Sequence, residues 1–230
     1  MAVTVARIRG SPALRRLRCS PLFGTLSELD LAELADRFMV RSFPKGGVVY
    51  GRGEPGRSLY VVDEGAVKLG ASTPDGREAA YAVMGPGDVF GILSLFHPPS
   101  RSADATALVK SRALSLTHEE FRPYLERSPP LALALSNLIA ARARDARELA
   151  GAAVFEDVAS RLLNRMLDLA ERFWAPVPGG RLLDLPLAQQ DLADLVGASR
   201  ESVNKALASL TRQGFIRYQQ RRYVVLTGAG

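Results

Sequence analysis

The chain has 230 residues, 47% hydrophobic and 23% charged, the composition of a soluble globular protein of one or two domains with buried cores. Its net charge of +6 suits a polyanionic partner. The single cysteine, Cys19, excludes an internal disulfide and any all-cysteine metal or iron–sulfur site and fits a reducing cytoplasm.

The basic stretch Arg7–Arg18 is not followed by the apolar segment of a secretory signal, and no apolar run of about 18 residues exists to span a membrane. Residues 1–20 read as a disordered or loosely docked basic arm, available to DNA phosphates. A helical pattern follows over Leu26–Phe38, with Leu29, Leu31, Leu34, Ala35 and Phe38 on one stripe.

From Met39 to Leu116 the period becomes that of strands: Val48–Tyr50, Leu59–Val62, Ala66–Leu69, Ala80–Met84 and Ala113–Leu116. Turns such as Pro44–Gly47, Glu54–Gly56, Asp63–Gly65, Pro74–Gly76 and Gly85–Asp88 punctuate them. Short, regularly spaced strands predict a β sandwich or barrel with room for a small ligand. A metal-dependent enzyme on such a barrel needs clustered histidines, and only His97, in a loop, and His118, at a helix start, are present. No nucleophile–base pair stands out either, so no catalytic or metal site is expected.

Glu119–Leu125 reads as a short helix, after which Pro129-Pro130 opens a long one to about Gly151. Its narrow seam of Leu131, Leu135, Leu138, Ile139, Ala146 and Leu149 suits pairing with a second copy. The small residues Gly151–Phe155 mark a hinge, with Asp157 placed to cap a further helix, Val158–Trp174. Ala175–Gly180 reads as a loop and Arg181–Leu185 as a strand.

The most informative stretch is Leu187–Leu210. Leu192, Leu195 and Val196 form one short apolar stripe, and Val203, Ala206, Leu207 and Leu210 form another. Between them stands Gly197-Ala198-Ser199, with Ser199 as N-cap. Two amphipathic helices about a glycine turn predict a helix-turn-helix whose second helix enters the major groove. Arg200, Glu201, Ser202 and Lys205 lie on its open face, where Arg or Lys donates to guanine and Glu accepts from cytosine. Ser199, and Gln189 at the start of the first helix, complete the candidate DNA contacts. Phe215–Tyr218 and Tyr223–Leu226 flank a basic tip and predict a two-stranded wing, with Arg221 and Arg222 for phosphates.

The motif GASRESVNKAL resembles the recognition element of the CRP/FNR transcription regulators, and the resemblance extends over roughly Leu22–Leu226. It implies an α+β chain: a basic arm (1–20), an antiparallel effector-sensing β roll (21–127), a long dimerisation helix (128–152) and a C-terminal winged helix-turn-helix domain (153–230). It also implies a non-enzymatic, cytoplasmic homodimer that binds palindromic double-stranded DNA, with RNA polymerase as a further partner. Arg200 and Glu201 then read a G·C pair in half-sites near GTGA. Lys205 replaces the usual arginine and loses its bidentate fork. Half-site centres lie about 34–36 Å apart, a spacing general to helix-turn-helix dimers, those of this family included.

The same resemblance places a phosphate cassette at Phe90, Gly91, Ile92 and Leu93, with Arg101 and Ser102 completing an anion clamp. Ile92 stands where cyclic-AMP binders carry a ribose-binding Glu, and Ala146 and Arg147 stand where they carry an adenine-binding Thr-Ser pair. The apolar third residue is similar to the branch that senses 2-oxoglutarate, for which Arg142 or Arg147 on the long helix supplies a second cation. The effector expected is thus a small anion, 2-oxoglutarate or a cyclic nucleotide. The alternatives are a regulator that needs no effector and, more remotely, a cupin-like enzyme. For Arg101 an ordinary ion pair with Asp88, Asp104 or Glu119 is also open.

Overall fold

The computed structural model describes residues 5–7, 12–72, 78–96 and 100–226. In chain order these give β1 (Val5–Arg7), α1 (Pro12–Cys19), α2 (Glu28–Ala35), β2 (Met39–Phe43), β3 (Val48–Tyr50), β4 (Ser58–Glu64), β5 (Val67–Ser72), β6 (Glu78–Met84) and β7 (Val89–Phe90). There follow β8 (Asp104–Ala107), β9 (Ser111–Thr117), α3 (His118–Arg127), α4 (Pro129–Phe155), α5 (Val158–Arg172), β10 (Trp174–Val177), β11 (Gly180–Leu183), α6 (Gln189–Val196), α7 (Arg200–Arg212), β12 (Ile216–Gln219) and β13 (Arg222–Leu226). The class is α+β, with an antiparallel N-terminal β domain, a long helix and a C-terminal helix-turn-helix with a small sheet, as the sequence led us to expect.

By proximity the chain forms two units, Met1–Leu69 with Met84–Asp145, and Gly70–Val83 with Ala146–Gly230. In the N-terminal sheets the strand orders are β1-β2-β9-β4-β7 and β3-β8-β5-β6. Among the described residues no helix is long and apolar enough to cross a membrane.

The core of the first unit joins Leu59 and Val61 of β4 and Leu114 and Leu116 of β9 to Phe121 of α3 and to Leu131 and Leu135 of α4. Phe23 meets Phe38 and Phe121 edge-on, with ring centroids 5.4 and 5.8 Å away. Such pairs add about 0.5–1.5 kcal/mol each beyond their burial. Of the α2 pattern, Leu31 and Leu34 enter this core but Leu29 faces solvent.

Three expectations need correction. The basic arm is not loosely attached throughout: Pro12–Cys19 is helical and drives Leu17 into the core, where it is fully buried. Arg16 also lies 3.8 Å from Asp63, a buried carboxylate that Arg112 holds from the other side. Leucine burial, worth about 1.5–3 kcal/mol, outweighs the repulsion that made the stretch look detached. Residues 1–4 and 8–11 of the expected arm, the Pro74–Gly76 turn and His97 lie outside the described residues.

Second, no break occurs at Gly151: α4 continues to Phe155. One glycine costs a helix about 1 kcal/mol, and the alanines around it favour helix. The chain breaks instead at Glu156-Asp157, where Asp157 caps Ser160 N–H and Arg161 donates back to the carbonyls of Ala153 and Glu156. Third, α5 ends at Arg172, and Trp174, expected at its end, instead begins a strand with Ala175–Val177, expected in a loop; the strand pairs antiparallel with β11 about Pro178-Gly179.

The second unit's helical core sets Leu162 and Met166 of α5 against Leu192 and Val196 of α6 and Val203, Leu207 and Leu210 of α7. Ile216, Tyr223 and Val225 close it from the sheet, whose order is β10-β11-β13-β12.

Candidate nucleic-acid interface and anion pocket

The helix-turn-helix is built by three local devices. Gly197 takes φ 62°, a left-handed turn that only glycine enters cheaply, and so ends α6. Ser199 is extended, and its hydroxyl accepts the Ser202 N–H at 3.1 Å, which starts α7. The two apolar stripes then lock both helices onto α5, leaving the N-terminal face of α7 outward.

On that face Arg200, Glu201 and Lys205 are exposed. Lys205 Nζ lies 2.7 Å from Glu201 Oε1, one helical turn away. Arg200 Nε donates to Gln189 Oε1 at 3.4 Å, so the first residue of α6 steadies the first residue of α7. Ser199 and Ser202 bond to each other at 2.9 Å. All the recognition residues expected from sequence therefore sit together. The arrangement offers a guanidinium, a carboxylate and an ammonium within the first two turns of one helix, the donor and acceptor set that base edges require.

The two wing arginines part company. Arg221 is exposed at the β12–β13 turn with φ 63°, next to Gln220 at φ 48°. Arg222 is instead paired with Asp184, whereas Arg221 projects from the turn with no carboxylate partner among the described residues.

The second site belongs to the first unit. Arg101 is buried, 5% exposed, and its Nη1 donates to Gly91 O at 3.0 Å and Ser94 Oγ at 3.1 Å. Its guanidinium lies 4.1 Å over the Tyr50 ring and 5.6 Å from that of Tyr60. Tyr60 stacks on Phe90 at 5.2 Å. Burial raises the Tyr50 phenol above its ordinary pKa, so it stays neutral beside the cation. Arg101 Nε is buried without a partner, and among the described residues no carboxylate pairs with the group. Among the described residues Arg101 forms no ion pair with Asp88, Asp104 or Glu119: Asp88 lies 3.8 Å from Arg142, and Asp104 accepts from Arg52 N–H.

The backbone is fitted closely to this cation. Gly91 has φ 75°, and a Cβ there would stand 2.8 Å from Arg101 Nη1. A Cβ on Gly56 would stand 2.4 Å from that of Ser94. Arg101 is tied at both ends of its peptide, its N–H to Glu54 O at 2.8 Å and its C=O to Gly53 N–H at 2.9 Å. A buried guanidinium without a countercharge is costly, and an anion placed against it recovers that cost.

The other expected effector residues divide. Phe90 belongs to the ring stack and Ser102 is exposed. The side chain of Ile92 does not line the cradle: it is buried in the hydrophobic core, while Leu93 turns outward, 52% exposed. At this position, where the resemblance puts a Glu in cyclic-AMP binders, Ile92 serves core packing. Arg142 faces Asp88 and Asp145, at 3.8 and 3.7 Å. Arg147 is exposed. Tyr50, Tyr60, Gly56 and Ser94 were missed, since in sequence they look like strand and turn residues with no chemical signal.

Residues 40–128 match the cyclic nucleotide-binding domain family, and residues 160–228 match the Crp-like helix-turn-helix domain family. The chain is 37% identical over 195 residues to a CRP-like cAMP-activated global transcriptional regulator of Mycobacterium tuberculosis, covering 85% of this chain and 87% of that one. It is 32% identical to the cyclic AMP receptor protein of Thermus thermophilus over 87% and 90% of the two chains. Among solved structures, FixK2 from Bradyrhizobium japonicum superposes with a TM-score of 0.75 at 26% identity, covering 84% and 93% of the two chains.

Proposed function

This chain belongs to the CRP/FNR family of DNA-binding transcription regulators, proteins that read DNA and are not enzymes, and from that premise we propose that it acts in the cytoplasm as a homodimer on a palindromic site, gated by a small anionic effector. The observation that carries the DNA half is the joint exposure of Arg200, Glu201 and Lys205 at the capped start of α7. Arg200 and Glu201 read one G·C pair, Lys205 a neighbouring base, Ser199, Ser202 and Gln189 orient the approach, and Arg221 holds a phosphate. Arg222 takes a lesser part because Asp184 already occupies it.

Support for the homodimer comes from α4. Of the expected seam, Leu131, Leu135, Leu138 and Ile139 pack instead into the chain's own core, whereas beyond them Ala140, Ala141, Ala143, Ala146, Val154 and Phe155 are exposed, Phe155 at 87%. A second copy of the helix covers such a surface, and two-fold symmetry lets two recognition helices read a palindrome. RNA polymerase is the partner through which a bound dimer changes transcription.

For the effector we put cyclic AMP first. The relatives in M. tuberculosis and T. thermophilus are named for it, and the uncompensated Arg101 suits its phosphodiester. 2-Oxoglutarate has less support, because Arg142, its expected second cation, already faces Asp88 and Asp145. Sedimentation of the protein with a GTGA-type palindromic duplex tests the DNA half: two chains per duplex are expected, and one chain per duplex contradicts the dimer.

A further inference from the structure

His118 is the first residue of α3 and is half-buried. Its Nε2 is buried without a hydrogen-bond partner. Its backbone N–H donates to Arg57 O at 2.9 Å, and the preceding Thr117 pairs with Ser58. This places it at the first residue of β4, Ser58, whose carbonyl oxygen lies 3.2 Å from where a Cβ on Gly91 would stand, with Arg101 Nη1 2.8 Å from the same point. The Gly91 carbonyl accepts from Arg101. Arg101 Nε and His118 Nε2 are both buried without a hydrogen-bond partner.

The charged groups around His118 decide how it behaves. Arg101 acts on it from the loop before β8 and Arg122 from its own helix, and both are cationic. Glu119 and Glu120 follow it on α3, but Glu120 is turned back to the Thr117 hydroxyl and N–H. Arg57, at the head of β4, is exposed. The positive end of α3 adds to the repulsion. Burial first, and the Arg101 charge second, hold the imidazole below its ordinary pKa, so without an anion it is neutral.

We propose that His118 is a positioning residue of the anion pocket which takes up a proton when an anion neutralises Arg101, so that effector binding is coupled to pH. The proposal rests on the reading of Arg101 as the effector clamp. With the anion in place, the repulsion from Arg101 is offset and the protonated imidazole donates to the Ser58 and Gly91 carbonyls. Those bonds hold the Gly91 peptide against Arg101. By linkage, whatever raises the affinity of His118 for a proton also raises the affinity of the pocket for its anion as pH falls. The imidazole is the one side chain here whose ordinary pKa lies near physiological pH.

The test uses the full-length protein with cyclic AMP, whose phosphodiester keeps its charge between about pH 5 and pH 8, the range over which histidine titrates. Affinity and heat are measured across that range in two buffers of different ionisation enthalpy. We expect affinity to rise several-fold toward the acid end, with a net uptake of a fraction of a proton per site. His118→Gln, which keeps the shape but takes no proton, should bind with a flat pH profile and no uptake. In parallel, the His118 ring resonance, identified in a His97→Gln background, should titrate at higher pH in Arg101→Gln than with Arg101 present. A pH profile and proton count unchanged by His118→Gln would overturn the proposal, as would a His118 titration unmoved by Arg101→Gln. If cyclic AMP binds at no pH, the cyclic-nucleotide reading fails by itself. The coupling is then decided by sulfate, an anion of fixed charge: an upward shift of the His118 titration upholds it, and no shift overturns it.

Discussion

The guanidinium of Arg101 lies 4.1 Å above the ring of Tyr50, and among the described residues no carboxylate answers its charge. The ring supplies part of the missing countercharge, about 2 kcal/mol for a desolvated pair. The rest is left for a ligand. Replacing Arg101 with Gln should remove charge-assisted bonds worth about 1.5–3 kcal/mol and so weaken cyclic AMP binding by roughly 10- to 100-fold. Calorimetry on the two proteins checks this; equal affinities would mean that the cation is structural. Tyr50→Leu should cost less, because it removes the ring but leaves the charge.

At the DNA surface, Arg200→Ala should cost about 1–3 kcal/mol and relax preference at one base pair. Gln189→Ala should cost less and leave base preference largely intact, since Gln189 orients Arg200 through one long bond of 3.4 Å. Competition binding with a panel of single-base-pair variants separates the two. A uniform loss over all variants for Arg200→Ala would make it a phosphate contact instead.

Much of this interface is legible in the sequence. Gly197, Ser199 and two apolar stripes are local signals, and each governs only its neighbours in the chain. The strand runs and the long helix are visible for the same reason. The pocket is not, because it depends on contacts far apart in sequence: Tyr50 on β3 and Gly56 before β4 meet Arg101 and Ser94 only once the sheet is paired. The end of α4 at Phe155 depends likewise on Arg161, which acts from the next helix. Leu17 looked detached because the charges around it hide one buried leucine.

The wing offers a separation of stability from binding. Arg221 sits in a left-handed conformation that costs a non-glycine residue about 1–2 kcal/mol. Arg221→Gly should therefore stabilise the fold to denaturant while weakening binding to all DNA sequences alike and lowering its salt dependence. Arg222→Ala should instead lose an exposed ion pair with Asp184, worth at most about 1 kcal/mol, with little change in DNA affinity. Urea titrations and salt-dependent binding of both variants check these opposite signs.

The docked N-terminal helix makes a plain stability prediction. Leu17→Ala should destabilise the N-terminal unit by about 2–5 kcal/mol, as expected for emptying a fully buried leucine site. A loosely attached arm would show no change in the denaturation midpoint.

We propose that an anion held at Arg101 controls reading of DNA by α7. The most direct measurement is the affinity for a GTGA-type palindrome at fixed salt, with and without saturating cyclic AMP, for the unaltered protein and for Arg101→Gln. Salt must be held because phosphate contacts dominate the affinity. The account predicts a several-fold or greater gain with cyclic AMP that Arg101→Gln abolishes. Tight binding that cyclic AMP leaves unchanged in both proteins would contradict it and identify a dimer that reads DNA without this effector.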